Sequence, residues 1–245
     1  MNNNPGIKIV FEDKWLVVVE KDCGLLSMGT GHPGETTAYS LVTAHVRKVS
    51  RDRHSRVFIV HRLDRDTSGL LVFAKDAGTK QMLQEHWDEA VLEREYVAIL
   101  EGRMAMEEGE IRTWLREDPV SMTVHCSDHD NGGRIAVSYL KVLRQGREYS
   151  QVSFELETGR KNQIRAHASW IGHPVAGDRK YGARSNPLNR LCLHARSLVF
   201  IHPRTGEKMR FRSNLPRSFK RLFAMESAAG VEQQPDKEIR GRREH

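Results

Sequence analysis

The feature that most limits how this chain can fold is the shortness of its apolar runs. Nine of them, "IKIVF", "WLVVVEK", "RVFIVHR", "GLLVFAK", "EYVAILEG", "AVSYLKVL", "SQVSFELE", "SLVFIH" and "MRFRS", are eight residues or fewer and are bounded by Gly, Pro, Asp or Asn. Runs of that length and composition are strands. In "QVSFELE" the residues Val152, Phe154 and Leu156 alternate with polar ones, the period of a strand with one wet face. Three helices interrupt the pattern. Thr36 or Thr37 caps one with the stripe Tyr39, Val42 and Val46, and Asp76 caps another that carries Met82, Leu83 and Trp87 toward the core. The third, "KNQIRAHASWIG", sets Ile164, Ala168 and Ile171 on one face and stops at Gly172, with Arg165 at the edge of that face. The reading is an α+β protein whose core is a mostly antiparallel sheet with flanking helices. "SDHDNGGR" reads as a hairpin tip around Asn131 to Gly133. No internal repeat divides the body, so residues 1–225 are taken as one domain, and 226–245, with one Val, one Ile and no period, as a disordered tail.

The formal charge of +7 and a sequence pI near 9.4 suit a polyanionic partner such as nucleic acid, although many basic proteins bind none. Cys23, Cys126 and Cys192 lie far apart and form no C-x-x-C, so neither a disulfide framework nor a thiolate metal site is indicated. No apolar run approaches the length of a spanning helix, and "MNNNPG" lacks a signal-peptide pattern, which gives the expectation of a cytoplasmic protein without membrane contact.

No phosphate-binding loop, H-E-x-x-H or G-x-S-x-G is present. Any chemistry therefore comes from acidic and basic side chains. In "HRLDRDTSGLLVFAK", His61 to Lys75, a carboxylate at Asp64 lies between Arg62 and Arg65 at the lip of an apolar run. Such a carboxylate stays ionised and can act as nucleophile or base, but a surface ion-pair cluster explains the same residues, and structural pairs outnumber catalytic ones. The stretch from Glu157 to Gly182 enters the third helix through Thr158-Gly159-Arg160, where backbone N–H groups and Arg160 would hold a phosphate unless the turn is an ordinary cap. His61, His167, His173 and His194 have no ligand spacing and read as satisfied polar histidines, with no metal site. Tyr96 is either a core-facing strand residue or a platform on which a base stacks.

Taken together these residues resemble the RluA-type pseudouridine synthases, RNA-modifying enzymes that isomerise selected uridines. "HRLDRDTSGLLVFAK" is similar to the family's catalytic motif almost throughout, and "TGRKNQIRAH", "GHPVAGDRKYG" and "LCLHA" follow in the family's order. The openings "IKIVFEDKWLVVVEKDCGL" and "EREYVAILEG" extend the likeness over nearly all of the chain except the tail. The resemblance implies the pseudouridine synthase catalytic fold, built on a mixed sheet. It also implies Asp64 as the catalytic aspartate, Arg165 as its arginine partner, Tyr96 as the aromatic against the target base, and Arg62 as the residue that enters the RNA stack. His61, Arg160 and Gln163, the other polar residues of the two blocks, are expected to bind substrate. Strand-like sequence begins by Ile7, so no small RNA-binding domain is expected ahead of the catalytic body. Asp22 and Cys23 stand where the family more often has Lys-Pro and a small residue, Arg94 where it often has Lys, and Lys161-Asn162 where Thr-His is common.

Isomerisation breaks the N-glycosidic bond, turns the trapped uracil over and rejoins it through carbon 5. It consumes no donor and changes no oxidation state, so no cofactor is expected. A base within a helix cannot reach the carboxylate, which requires flipping at a cost of roughly a few kcal/mol that Arg62 insertion and Tyr96 stacking offset. Arg165 is expected to aim Asp64 and keep it ionised, and Leu70 to Phe73 to form a buried strand that fixes it. The resemblance therefore gives an RNA pseudouridine synthase acting on ribosomal or transfer RNA, and with no long coiled-coil or exposed apolar stripe in the sequence a monomer is expected. Two alternatives keep the same residues: a metal-dependent nuclease using His61, Asp64 and Asp66, and a non-catalytic RNA-binding protein.

Overall fold

A computed structural model describes residues 6–32 and 34–231, with side chains as far as Ala224. Its strands are β1 (Ile7–Glu12), β2 (Leu16–Lys21), β3 (Phe58–Ile59), β4 (Ser68–Ala74), β5 (Val91–Glu101), β6 (Glu108–Glu117), β7 (Val124–Ser127), β8 (Arg134–Gln145), β9 (Tyr149–Leu156), β10 (Leu193–Ile201) and β11 (Lys208–Arg212). The helices are α1 (Ala38–Ser50), α2 (Ala77–Glu85), α3 (Trp87–Ala90), α4 (Gln163–Trp170) and α5 (Arg217–Val231). One mixed sheet runs in the order β1-β2-β4-β10-β5-β9-β8-β6-β7, with β3 and β11 paired on β4 and β10. Every pairing is antiparallel except β4 with β10, where His194 meets Ser68 and Ala195 meets Gly69. The α+β expectation of a mostly antiparallel mixed sheet with flanking helices is the observed architecture.

The central strands are covered on both sides, and their sequences are correspondingly apolar without alternation. In β2, Val17 and Val19 join Val42 and Val46 of α1, while Leu16 and Val18 face the opposite side with Leu83 of α2 and Trp87 of α3. All seven residues of β4 are buried. In the second half of the sheet Phe154 and Ile99 share a core with Ile164 and Ala168 of α4 and Phe219, Leu222 and Phe223 of α5. The parallel seam between the halves depends on a glycine. Gly69 has φ +117°, and a Cβ placed there would stand 2.1 Å from the carbonyl oxygen of Ala195.

Thr37 caps α1 in a reciprocal arrangement with Ser40, and Asp76 accepts from the Thr79 N–H at the start of α2, as the sequence predicts. Met82 does not reach the core. It is 38 % exposed because α2 stops at Glu85, so Trp87 belongs to a separate short helix and Thr79 and Leu83 form the buried stripe. The turn at Asn131 to Gly133 joins β7 to β8, but both strands pair with β6 and not with each other, so it crosses the end of β6 and is not the tip of a hairpin. The helical backbone of α5 continues past Glu226 to Val231, and the rest of the predicted tail, 232–245, lies outside the described residues. Among the described residues no helix is long and apolar enough to cross a membrane.

Candidate active site

Asp64 stands on the loop between β3 and β4, and the loop is held from several directions. Leu63 is buried, and the Ser27 hydroxyl both donates to its carbonyl (2.7 Å) and accepts from its N–H (3.1 Å). On the other flank the carbonyl of Arg65 accepts from Gly24 N–H (3.0 Å) and from Lys21 Nζ (3.0 Å). Lys21 is wholly buried at the end of β2 and donates also to the carbonyls of Asp22 and Leu25. Burial pushes its pKa down to about 8. The Thr67 N–H closes the loop on the Asp64 carbonyl, and β4 follows at once.

Helix α4 brings the opposing charge. Its N-cap, Asn162, is in the left-handed region (φ 53°) and its side chain does not cap. Gln163, the first helical residue, instead ties the preceding turn to the sheet. Its Oε1 accepts from Arg160 N–H (2.9 Å) and Thr158 Oγ1 (2.8 Å), and its Nε2 donates to the Val137 carbonyl and Ser138 Oγ (both 2.9 Å). With every donor and acceptor of its amide engaged and 2 % exposure, Gln163 braces the cleft wall and has no valence left for substrate, which corrects the expectation placed on it. The same bond takes the Arg160 N–H that was to cradle a phosphate.

Two turns of contact then fix Arg165. Its Nε and Nη2 form a bidentate pair with Asp178 (2.6 and 2.8 Å), its Nη1 donates to Asp64 Oδ2 (3.2 Å) and Asn162 Oδ1 (3.3 Å), and its guanidinium lies 4.9 Å from the Tyr181 ring centroid. Burial opposes the charge on Arg165, yet the bonds to Asp178 and the nearby Asp64 outweigh it and raise the pKa above the ordinary arginine value. Side-chain exposure is 27 % at Asp64, 15 % at Arg165 and 1 % at Asp178, so the arginine is anchored from below and offers one N–H to a carboxylate that faces the opening. Asp178 and Tyr181 were missed in the sequence; the only signal was their place in "GDRKYG".

Tyr96 reaches the same cleft through sheet register. Gly69 of β4 pairs with Ala195 of β10, which pairs with Tyr96 of β5, so the tyrosine stands in line with the start of β4. Burial, with the charge of Asp64 adding, pushes its phenol up to about 12, so the hydroxyl keeps its proton. Arg62, Asp64, Tyr96, Arg160 and Arg165 all line one cleft of about 70 Å³, and Arg62, Asp64 and Arg165 also line an adjoining one of about 200 Å³. His61 does not join them. Its Nε2 accepts from the Val72 N–H (3.1 Å), its ring lies 5.0 Å from Trp87, and burial, helped by Arg94, pushes its pKa down to about 3. It is a neutral wedge under β4, which corrects its expected contact with substrate and breaks up the trio His61, Asp64 and Asp66. Among the described residues no group of His, Cys, Asp and Glu is arranged to hold a metal ion. A larger depression, about 540 Å³, lies on the open sheet face, but its lining of Glu93, Glu95, Glu108 and Glu155 repels phosphate, so size does not mark the site.

Residues 15–170, well over half of the chain, match the RNA pseudouridylate synthase family. The chain belongs to this family. The synthase is 33 % identical over 230 residues to ribosomal large subunit pseudouridine synthase D of Zymomonas mobilis, covering 89 % of this chain and 72 % of that one. It is 30 % identical over 236 residues to tRNA pseudouridine synthase C of Haemophilus ducreyi, covering 89 % and 94 %. In fold it superposes on human RNA pseudouridylate synthase domain containing 4 with a TM-score of 0.69 at 24 % identity, over 87 % of this chain and 92 % of that one. The synthase is of the RluA type that its motifs resemble, and its activity is isomerisation of uridine in RNA. Two of its departures from the usual motif are accounted for by the geometry: Lys161 pairs with Glu117, and Asn162 joins Arg165 to the Tyr181 hydroxyl.

Proposed function

We propose that Asp64 is the essential carboxylate of the synthase, that Arg165 aims it, and that Tyr96 and Arg62 hold the flipped uracil and fill the gap it leaves. The observation that carries this reading is the meeting of Asp64 with a pre-anchored Arg165 in the cleft that Tyr96 lines. A carboxylate there either attacks the sugar or the ring, forming a bond that breaks again before product leaves, or removes a sugar proton that it later returns; on each route the N-glycosidic bond breaks, carbon 5 bonds to the sugar and releases its proton, and N1 gains one. The hydroxyl of Tyr96 stays protonated throughout and leaves the ring an uncharged stacking face. Arg160, at the cleft mouth, is the remaining cation for a phosphate of the substrate.

The substrate is ribosomal or transfer RNA, a reading supported by the relatives named for each. The enzyme works as a monomer in the cytoplasm without a cofactor. The test is tritium release from total cellular RNA labelled at carbon 5 of uracil, taken from a strain that lacks this gene. Wild-type protein is expected to release tritium; Asp64→Ala and Asp64→Asn are expected to fall by at least about a thousandfold while retaining RNA within a fewfold of wild-type affinity. Sustained release by either variant removes Asp64 from the chemistry.

A further inference from the structure

Residues 47–56, "RKVSRDRHSR", carry Arg47, Lys48, Arg51, Arg53 and Arg56 against a single carboxylate, and all five cations are exposed. Some cations elsewhere are neutralised: Lys75, Arg112, Lys141, Arg204 and Arg210 each pair with Asp or Glu. Here none of the five meets a carboxylate within 4 Å among the described residues. The one nearby acid, Asp52, spends both oxygens on the loop itself, accepting from His54 N–H (2.8 Å) and Ser55 Oγ (3.0 Å). The dipole of α1 favours Arg47 and Lys48 in its last turn, and the turn that follows is ordered as well. Arg51 closes α1 in the left-handed region (φ 56°), Arg47 Nε donates to the Ser55 carbonyl (2.9 Å), the Ser50 and Ser55 hydroxyls meet at 3.0 Å, and Arg56 lies 5.1 Å from the Phe58 ring centroid. The chain thus presents an unneutralised block of charge on a built turn.

Its place in the fold says what it faces. Helix α1 begins beside the site, where the N–H groups of Ala38 and Tyr39 bind the carbonyls of Leu26 and Ser27, the residue that clamps Leu63. It packs on the sheet face to which Leu63 and Tyr96 also contribute. Thirteen residues later it delivers the cations, about 20 Å from its start at 1.5 Å per residue. We propose that this corner between α1 and β3 is a second RNA-docking surface, which grips the phosphate backbone of the substrate RNA at the end of α1 remote from the carboxylate loop. Contacts of this kind position without reading sequence and release counterions on binding. The inference rests on the function proposed above and adds the place where RNA beyond the target loop is held.

The test compares wild type with Lys48→Gln/Arg51→Asn/Arg53→Gln and with a control of equal charge loss on β11 and α5, Lys208→Gln/Lys220→Gln/Arg221→Gln. Tritium release from the labelled total RNA is measured at stepped salt, and retention of the same RNA on filters is measured in parallel, so the surface is scored whether or not tritium is released. The corner variant is expected to raise KM about tenfold with kcat within twofold, and to flatten the log–log salt slope by about 2, at roughly 0.7–0.9 per lost phosphate contact. The control is expected to follow wild type. Arg53→Ala alone, whose side chain donates to His54 Nε2, is expected to flatten the slope by about 0.7–0.9 and guards against a misfolded triple variant. Wild-type slopes in both corner variants, or an equal loss in the control, overturn the proposal. Absent release by wild type with an intact difference in filter slopes would instead defeat the proposed chemistry and leave the surface standing.

Discussion

Arg165 divides its guanidinium unequally, giving two short bonds to Asp178 and one longer bond to Asp64. The buried partner sets where the arginine sits and the exposed one receives what is left. Replacing Asp178 with Asn keeps the volume but removes the charge beneath Arg165, and truncating one side of a buried pair typically costs about 3–5 kcal/mol, less here because Asp64 remains. The expected result for Asp178→Asn is a lowered melting temperature and a fall in kcat of about 10- to 100-fold in single-turnover tritium release, with RNA retention little changed. Unchanged kcat would show that the aim of Asp64 does not come through Arg165. The four residues Asp64, Arg165, Tyr96 and Arg62, which the motif resemblance singles out because each stands inside a quoted block, line one cleft. Spacing alone did not give their mutual geometry: it sets Arg62 and Arg65 beside Asp64, and only the resemblance named Arg165, 101 positions away, as the partner that the fold brings to it. Asp178 gave no signal beyond a Gly-Asp pair, and His61 and Gln163 look like substrate ligands until the fold assigns their hydrogen bonds to backbone and brace.

At the level of elements the decisive contact is the short parallel bridge of β4 on β10, since the register Gly69, Ala195, Tyr96 is what sets the aromatic beside the carboxylate loop. Gly69→Ala is expected to lose more than about 3 kcal/mol in urea unfolding, or to yield insoluble protein, because both the positive φ and the 2.1 Å approach forbid a Cβ. A soluble variant of wild-type midpoint would mean the bridge has room to open. Strands and the capped starts of α1 and α2 were readable from short apolar runs and Thr or Asp caps. β6 was not, because in "EGEIRTWLRE" only Ile111, Thr113 and Leu115 face inward and charges occupy the other side. α5 carries its signal in Phe219, Leu222 and Phe223, a buried stripe at helical spacing hidden in a basic segment. Sheet order was beyond reach, since strands that pair across 100 residues leave no local trace.

Across the whole molecule, two buried histidines stitch strands together while uncharged. His167 lies between Thr113 and Ser138, and His194 between Ser68 and Ser213. Burial pushes both pKa values down to about 4, from about 6.5 in an unfolded chain. Between those limits the unfolded state binds more protons than the folded one, so stability rises with pH from about 4 to 6.5 and falls as acid is added through that window. The expected stability is nearly level around pH 7 and drops steadily toward pH 4.5, by an amount of order a few kcal/mol read as a falling melting temperature, and His194→Gln is expected to make the decline shallower. An equally steep decline in that variant would assign the acid sensitivity to other groups. The seam between β4 and β10 has one more consequence, and it concerns biogenesis. Asp64 belongs to the first third of the chain, whereas Arg165 and the strand that closes the seam come last. A nascent chain emerging from the ribosome therefore displays its acid long before the arginine and the aromatic register exist, and the cleft is assembled only when synthesis is nearly complete.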